Sequence, residues 1–353
     1  MPTFIVFFIM FSVLVLIHEL GHFLAAKKCG VKVEEFGAGY PPRIWGKRIG
    51  ETLYSLNLIP FGGFVKIYGH EEDVSHDLDR AFSSQNKKKR LLIILGGVIM
   101  NFLLGVVCFS LVYSKLGIPT NLGYVQVLDV AHDSPAYTAG LKPNDQITSL
   151  TVSDQQFKVT DVDQFVQLID KSRGHEISLE INGDKQVQIT PRTIEQTPAG
   201  EGSLGVGISS LDLRFYPWWQ MPFRGIWAGL QETFLWGREI VVSLVNMFAN
   251  LVKGVVPEVA GPVGIYQMTG EVKKSGFLAL AQFTGILSVN LAIVNLLPIP
   301  GLDGAWMIFV LIERVLGKNQ RKITTIASQI GFILLVLLML LITVSDVRRI
   351  ISR

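Results

Sequence analysis

An apolar segment from Phe4 to Ala26 contains the motif HELGH at residues 18–22. The segment is long enough to cross a bilayer, which takes roughly 20 mainly apolar residues in a helix. Ionisable side chains are expensive inside hydrocarbon and usually mark functional positions there. Three of them in one membrane-spanning helix therefore constrain the fold and chemistry of this chain more than any other feature of its sequence.

The spacing of this motif is typical of zinc-dependent proteases, whose signature is HExxH on a helix. His18 and His22 are four residues apart, so they share one helix face and can bind the same Zn²⁺ ion. Glu19 lies beside them and can take a proton from a metal-bound water molecule. The alternative is a chance match or a buried polar contact, which would need partners for three polar groups inside an apolar helix.

The composition agrees with a membrane protein that also has a water-exposed part. Hydrophobic residues make up 49% of the 353 positions and charged residues 17%, whereas soluble proteins average roughly 25% charged residues. The net charge of +3 is too small to indicate a nucleic-acid partner. Cys29 and Cys108 lie in or just after apolar runs, so no disulfide framework is expected.

Four apolar segments approach the length of a spanning helix. They run from Phe4 to Ala26, from Leu91 to Gly117, from Phe283 to Leu311 and from Ile326 to Val344. Loops rich in Lys and Arg usually face the cytoplasm. Such residues follow the first and third segments: Lys27, Lys28, Arg43, Lys47, Arg48, residues 87–90, Arg314, Lys318, Arg321 and Lys322. We therefore expect these two loops in the cytoplasm and the stretch between the second and third segments outside.

That outer stretch, from Thr120 to Arg192, predicts a small β-rich domain. Runs such as residues 177–181 alternate apolar and polar side chains, and turn signals such as residues 182–184 separate them. Residues 162–171 have the periodicity of a helix instead. The following residues, Glu195 to Ser203, indicate a linker.

The stretch from Phe223 to Val252 is ambiguous. It is apolar and contains tryptophan, but Glu232, Arg238 and Glu239 interrupt it. Three charges are costly in a spanning helix, so we expect an amphipathic helix that lies along the membrane interface. The alternative is a fifth spanning helix with internal ion pairs.

A second polar motif, NLLPIPGLDG at residues 295–304, lies within the third apolar segment. Pro298 and Pro300 remove backbone donors, and a broken helix at membrane depth is tolerated where it lines a cavity. Asp303 is the only carboxylate of the segment, and a catalytic zinc site usually needs a third protein ligand. Asp303 is therefore the candidate third ligand. The alternative is a kinked helix whose aspartate reaches back to the interface.

The depth of the two motifs is compatible with a shared site. At 1.5 Å per residue, His18 lies about 21 Å into its helix and Asp303 about 30 Å into the third segment. Both segments enter from the outside in the expected orientation. The two motifs can therefore meet on the cytoplasmic side of the bilayer.

Residues 53–58 and 64–68 predict two β-strands around Pro60 and the Gly62-Gly63 pair. The exposed edge of such a hairpin can pair with an unwound substrate segment, as in β-strand addition. The alternative is an ordinary amphipathic loop at the interface.

Two further histidines, His70 and His76, lie in an acidic stretch with Glu71, Glu72, Asp73 and Asp77. Their spacing is irregular for metal ligands. We expect a solvated cytoplasmic loop here rather than a second metal site.

Together these motifs resemble the site-2 protease family of intramembrane zinc metalloproteases, in particular the bacterial regulator-of-sigma-E type. The similarity covers nearly the whole chain, including Gly97 and Asn101 in the second apolar segment and GPVG at residues 261–264. The enterobacterial members carry two PDZ domains in tandem, whereas this chain has room for one. A size-exclusion mechanism that requires a tandem filter is therefore in doubt.

The resemblance implies roles for individual residues. His18, His22 and Asp303 would be the ligands of a Zn²⁺ cofactor, and Glu19 would be the general base. Substrate-binding residues would be Asn295 and, in a membrane-re-entrant β-hairpin, Gly62, Gly63 and Phe64.

We therefore expect an α-helical membrane protein with four transmembrane helices, a re-entrant β-hairpin and an inserted extracytoplasmic PDZ-like domain. The expected parts are residues 1–117 with the first two helices and the hairpin, 118–194 with the PDZ-like domain, 195–256 with a linker and the interfacial helix, and 257–353 with the last two helices.

The expected function is that of a zinc endopeptidase of the bacterial inner membrane, with its active site towards the cytoplasm. Its partners would be membrane lipid, single-span substrates such as anti-sigma factors or remnant signal peptides, and a peptide or C-terminus bound by the PDZ-like domain. The competing hypothesis is a catalytically inactive scaffold that binds partners through that domain. A metal transporter would need more polar helices than this chain has.

Overall fold

The computed structural model describes residues 1–70, 76–153, 155–198, 200–255, 260–316 and 320–351 of the chain. It divides into two compact units. Residues 1–115 and 219–353 form a helical unit with one β-hairpin, and residues 116–218 form a β-rich unit.

The elements follow one another in an order that places the β-rich unit between the second and fifth helices. In chain order they are α1 (Thr3–Lys28), β1 (Val33–Ile49), β2 (Thr52–Ile67), α2 (Lys87–Leu116), β3 (Ile118–Val130), α3 (Pro135–Thr138), β4 (Gln146–Val152), β5 (Gln155–Lys158), α4 (Val162–Lys171), β6 (Ile177–Ile181), β7 (Lys185–Ile189), β8 (Val206–Arg214), α5 (Met221–Val252), α6 (Pro262–Lys274), α7 (Phe277–Asn295), α8 (Asp303–Leu316) and α9 (Gln320–Ile351).

Five helices in the described part of the chain are long and apolar enough to cross a membrane: α1, α2, α5, α7 and most of α9. The third expected segment, Phe283 to Leu311, is not one helix. It is divided into α7 and α8 by the turn that contains Pro298 and Pro300. The two prolines lack the N–H groups that a continuous helix would use, and Gly301 has a φ of 100° that favours glycine.

Glycines bring α1 and α2 into close contact. A Cβ atom on Gly21 would lie 2.0 Å from the carbonyl oxygen of Gly96, and one on Gly96 would lie 2.4 Å from that of Gly21. Small residues at such an interface let two backbones approach each other. This contact sets the distance between the histidines of α1 and the backbone of α2.

Helix α5 packs lengthwise against α2. Gly225 lies against Ser114, Gly229 against Ser110, and Thr233 near Gly105, so residue numbers rise along α5 as they fall along α2. The two helices are therefore antiparallel over this stretch. An amphipathic helix that lies along the membrane surface does not fit this contact, so that expectation for residues 223–252 is wrong here.

The hairpin of β1 and β2 is wider than the sequence predicts. Residues 33–38 of β1 pair with residues 63–67 of β2 on one side and with residues 53–56 on the other. Residues 43–49 of β1 pair with residues 52–57. The result is a sheet of four paired segments, and residues 62–67, which we call the edge segment, form one edge. Both predicted strands thus lie in β2, and their partner β1 was not predicted.

The β-rich unit has one sheet in the order β7-β6-β4-β3-β8, with β5 paired to β4. Helix α4 covers this sheet through Phe165 and Ile169, which are buried with the strand residues in one core. Strand β8 pairs with β3 over most of its length. The expected boundary at residue 194 is therefore wrong. Residues 195–214 complete this sheet and core, with Leu204 buried, rather than forming a linker.

Candidate active site

The two polar motifs of the sequence meet between α1 and α8. Nε2 of His18 lies 3.1 Å from Nε2 of His22 and 3.2 Å from Oδ2 of Asp303. The Nε2 atom of His22 lies 3.4 Å from the same carboxylate oxygen. The break before α8 turns the aspartate towards α1, so the structure brings the three expected metal-binding residues together.

The geometry of these three atoms fits a zinc ion. Bonds of roughly 2.0–2.1 Å in a tetrahedral arrangement place neighbouring ligand atoms about 3.3 Å apart, close to the distances observed here. Oδ2 of Asp303 is buried and makes no hydrogen bond to the described residues. A buried carboxylate oxygen without a donor is costly, and a cation between the three groups would remove this cost.

The backbone of α2 fixes the proton position of His22. Its Nδ1 atom lies 2.9 Å from the carbonyl oxygen of Ile93, which accepts the Nδ1–H. The lone pair of Nε2 is therefore free for a metal. Such a second contact orients a ligating imidazole and raises its basicity.

A residue of α2 performs the corresponding role for His18. Asn101 is fully buried, and its side-chain amide lies 3.4 Å from Nδ1 of His18. Its Oδ1 atom has no hydrogen-bond partner among the described residues. With the amide turned about its last bond, Oδ1 accepts the Nδ1–H of His18 and gains the missing partner, and the hydrogen-bond network favours this orientation. The sequence signal was an asparagine inside a spanning helix.

The three candidate metal ligands open into a cavity of about 390 Å³. Its polar wall also contains Glu19 and Asn295, and its apolar wall comes mainly from Val65, Ile67, Phe82, Ile93, Ile94 and Trp306. Nδ2 of Asn295 lies 3.4 Å from Nε2 of His18, at the end of α7. The carboxylate of Glu19, the amide of Asn295 and the candidate metal ligands therefore face the same cavity.

Comparisons with known proteins identify the family of this chain. The model of peptidase family M50 matches residues 6–338 of the chain. A protein of Clostridium perfringens named as a zinc metalloprotease is 34% identical over 345 residues, which cover 96% of each chain. The chain belongs to peptidase family M50.

Two further M50 relatives are similar over almost their full lengths. A protein of Clostridium acetobutylicum, also named as a zinc metalloprotease, is 34% identical over 342 residues, with 96% of this chain and 95% of the relative covered. The zinc metalloprotease RasP of Geobacillus kaustophilus is 28% identical over 435 residues, with 99% and 98% covered.

Membership of family M50 confirms the expected site-2 protease class. The protein is a zinc metalloprotease, and Zn²⁺ is its cofactor. With five apolar helices, it is a multi-pass membrane protein that belongs to a family of intramembrane proteases. These findings disfavour the inactive scaffold. The roles of individual residues remain predictions.

The edge segment of this M50 protease lies directly on α1. A Cβ atom on Gly62 would meet Val15, and one on Gly63 would come within 2.6 Å of the side chain of Leu16. Phe64 faces away from this contact and stacks on Tyr40. Of the expected substrate-binding residues, the two glycines therefore allow close packing on α1. The cavity wall itself is formed by Val65 and Ile67, which the sequence did not single out.

His70 belongs to the cavity of the protease and not to a solvated loop, so that expectation is wrong. Its ring centroid lies 4.6 Å from that of Phe82 and 4.4 Å from that of Trp306. Burial lowers the pKa of His70 to about 4, so its ring is neutral at pH 7. His76 is exposed as expected. The acidic neighbours Glu71, Glu72 and Asp73 lie outside the described residues.

Proposed function

We propose that this M50 protease cleaves transmembrane segments of single-span membrane proteins, with His18, His22 and Asp303 as the zinc ligands. The observation that carries this proposal is the convergence of the three ligand atoms within 3.4 Å inside a cavity that Glu19 also lines. The cavity lies between apolar helices, where a membrane-embedded substrate can reach it without leaving the bilayer.

In the proposed mechanism, the three ligands hold the metal, Glu19 transfers a proton, and Asn295 stabilises negative charge. His18, His22 and Asp303 would hold the zinc ion, whose Lewis acidity would lower the pKa of a water molecule and polarise the peptide carbonyl. Glu19 accepts the proton of the attacking water and delivers it to the leaving amine. Asn295 donates an N–H to the carbonyl oxygen of the substrate as negative charge develops there.

The edge segment would present the substrate in an extended conformation. Residues 63–67 pair with β1 on one side, and no strand among the described residues pairs with their other side. A substrate strand added there would run along the cavity wall formed by Val65 and Ile67. Unwinding is required because a helix hides its peptide groups in internal hydrogen bonds.

The contacts support four complete membrane crossings. His18 of α1 lies beside Asn101 of α2, and His22 lies beside Ile93, so α1 and α2 are antiparallel. Helix α7 runs parallel to α1, because Gly285 lies against Phe109 and Ser288 bonds to the backbone of Asn101, which makes α7 antiparallel to α2. Helix α9 also extends from one side to the other. Its Gly331 lies against Pro300, in the break before α8, and its Asp346 lies against α6.

Helix α5 does not change this count. It begins beside Ser114, near the C-terminal end of α2, and α6 lies beside Thr3, at the N-terminal end of α1. Both positions are on the same side, so the stretch from the start of α5 to α6 makes no net crossing. The basic loops after α1 and α8 would then be cytoplasmic, and the β-rich unit would be extracytoplasmic.

We propose that the β-rich unit is a PDZ-like domain that binds a peptide C-terminus. A groove of about 270 Å³ lies between α4 and β8 and contains Val166, Ile169 and Ile208. Strand β8 is at the end of the sheet, so an extended peptide can be added to it. The adjoining loop, residues 202–205, lines the same groove and is the proposed place of the terminal carboxylate.

The proposed substrates are anti-sigma factors or remnant signal peptides of a bacterial inner membrane, in regulated intramembrane proteolysis. A direct test uses purified protease in liposomes with a single-span substrate, and maps the cut by mass spectrometry. We expect one chelator-sensitive cut inside the hydrophobic segment. Cleavage only in water-exposed flanks would contradict the proposal. Co-purification of bound proteins with an inactive Glu19→Gln variant would then identify the native substrates.

A further inference from the structure

Helix α8 carries the third candidate metal ligand and does not continue the axis of α7 as one helix. The turn between the two helices contains Pro298, Pro300 and Gly301, and α8 begins at Asp303 itself. A helix after such a break takes its position from its lateral contacts. The contacts of its first turns therefore decide where the carboxylate of Asp303 lies relative to the two histidines.

Trp306 makes one of these contacts. It is three residues after Asp303, so the two side chains lie on neighbouring positions of one helix face. Its ring packs on that of His70 at 4.4 Å between centroids, and His70 packs edge-on against Phe82 at 4.6 Å. The imidazole thus lies between a residue of α8 and a residue of the segment that leads to α2.

The backbone around His70 is anchored independently of α8. The N–H of Tyr68 donates to the carbonyl oxygen of Lys32 at 3.0 Å, and the N–H of Phe82 donates to that of Tyr68 at 2.8 Å. The N–H of Ser83 donates to the carbonyl oxygen of Gly69 at 3.2 Å. His70 is therefore a fixed support against which Trp306 can rest.

A charged contact holds the far end of α8. Arg90 of α2 pairs with Glu313 at 2.5 Å, and its guanidinium lies over the ring of Phe82. This ion pair is three turns from Asp303, so it cannot by itself fix the orientation of the first turn. Within the first turn itself, Gly304 lies against the carbonyl oxygens of Leu296 and Leu297, and Trp306 adds the aromatic contact to His70.

We propose that His70 is a positioning residue for the metal site: its ring, packed between Phe82 and Trp306, holds the first turn of α8 so that Asp303 faces His18 and His22. This proposal rests on the assignment of Asp303 as a zinc ligand. The side chain acts through packing, since its ring nitrogens make no hydrogen bond to the described residues. Its low pKa agrees with an uncharged ring in this position.

The test compares two substitutions that differ in whether they keep a ring. His70→Ala removes the packing, and His70→Phe retains it without the nitrogen atoms. Zinc affinity is measured by competition with a chelator on the full-length protein in detergent. We expect His70→Ala to weaken zinc binding about 10- to 100-fold, as residues that support a metal ligand do, and His70→Phe to remain near the wild-type value. His76→Ala, in the same loop but exposed, is the matched control and should change nothing.

Two results would overturn the proposal. Wild-type zinc affinity in folded His70→Ala would show that α8 does not need this support. Equal losses in His70→Ala and His70→Phe would show that a nitrogen atom of the imidazole acts directly. Thermal unfolding of the zinc-free variants verifies that each one is folded.

A double-mutant cycle with Trp306→Ala keeps the test decisive if His70→Ala is unstable. Because the two rings act on Asp303 through one contact, we expect the losses of zinc affinity to be clearly less than additive. Additive losses would contradict the proposal. If Asp303→Ala itself leaves zinc affinity unchanged, the ligand assignment fails instead, so the two failures are distinguishable.

Discussion

Oδ2 of Asp303 lies 3.2 Å from Nε2 of His18, although the two residues are near opposite ends of the chain. Neither helix makes a metal site alone, since α1 offers two imidazoles and α8 one carboxylate. The site therefore exists only when the helical unit is assembled. This dependence makes zinc binding a sensitive measure of how α1, α2 and α8 are arranged.

Replacing the carboxylate should remove a ligand without changing the size of the side chain. We expect Asp303→Asn to weaken zinc binding by more than about 100-fold, beyond the 10- to 100-fold typical of supporting residues. Chelator competition measures the affinity. Asp346→Asn is a matched control, because Asp346 is also buried but accepts a hydrogen bond from Gly264 away from the cavity. Unchanged affinity in Asp303→Asn would remove this residue from the ligand set.

Adding one methyl group to α2 should disturb both histidines. A Cβ atom on Gly97 would lie 2.5 Å from Cε1 of His18 and 2.6 Å from Nε2 of His22. Overpacking of this kind costs about 1–3 kcal/mol. We therefore expect Gly97→Ala to lose zinc and proteolysis together, as metal analysis and a cleavage assay would show. Gly237→Ala, whose nearest contacts are 3.7 Å and 3.9 Å away, should behave like wild type.

Substitutions of Asn101 test whether its amide oxygen or its amide nitrogen faces Nδ1 of His18. If Oδ1 accepts the Nδ1–H of His18, Asn101→Asp keeps an acceptor and Asn101→Leu does not. We expect Asn101→Leu to weaken zinc binding about 10- to 100-fold and Asn101→Asp to retain most of it. The same chelator competition applies. A larger loss in Asn101→Asp than in Asn101→Leu would mean that the amide donates to His18 instead.

Much of the site could be predicted from the sequence, because the signal is local. His18 and His22 are related by one turn of a single helix, and their cost in hydrocarbon excludes most other interpretations. Asp303 stood out because it is the one carboxylate of its apolar segment. The family was recognisable from these motifs together.

The remaining features depend on contacts that no short stretch of sequence contains. His70 has acidic neighbours, so its burial follows only from the distant residues Phe82 and Trp306. Strand β1 contains Pro41 and Pro42, which argue against a strand when read alone.

Strand β8 and helix α5 were misjudged for similar reasons. The polar, glycine-containing residues before β8 resemble a linker until Leu204 is seen in the core. The charges of α5 suggested a surface helix. In the structure Glu232 accepts a hydrogen bond from Trp236, and Arg238 and Glu239 are exposed on the side away from the packed residue Ile240. Both errors arise because packing partners far along the chain override local composition.

The central claim is that Glu19 is the general base at a zinc site of which it is not a ligand. The most direct measurement determines zinc content and cleavage on the same preparation of Glu19→Gln, with a single-span substrate in liposomes. The account predicts wild-type zinc content with cleavage reduced about 10²- to 10⁴-fold, the usual contribution of a general base. Chelator-sensitive cleavage at the wild-type rate would contradict it.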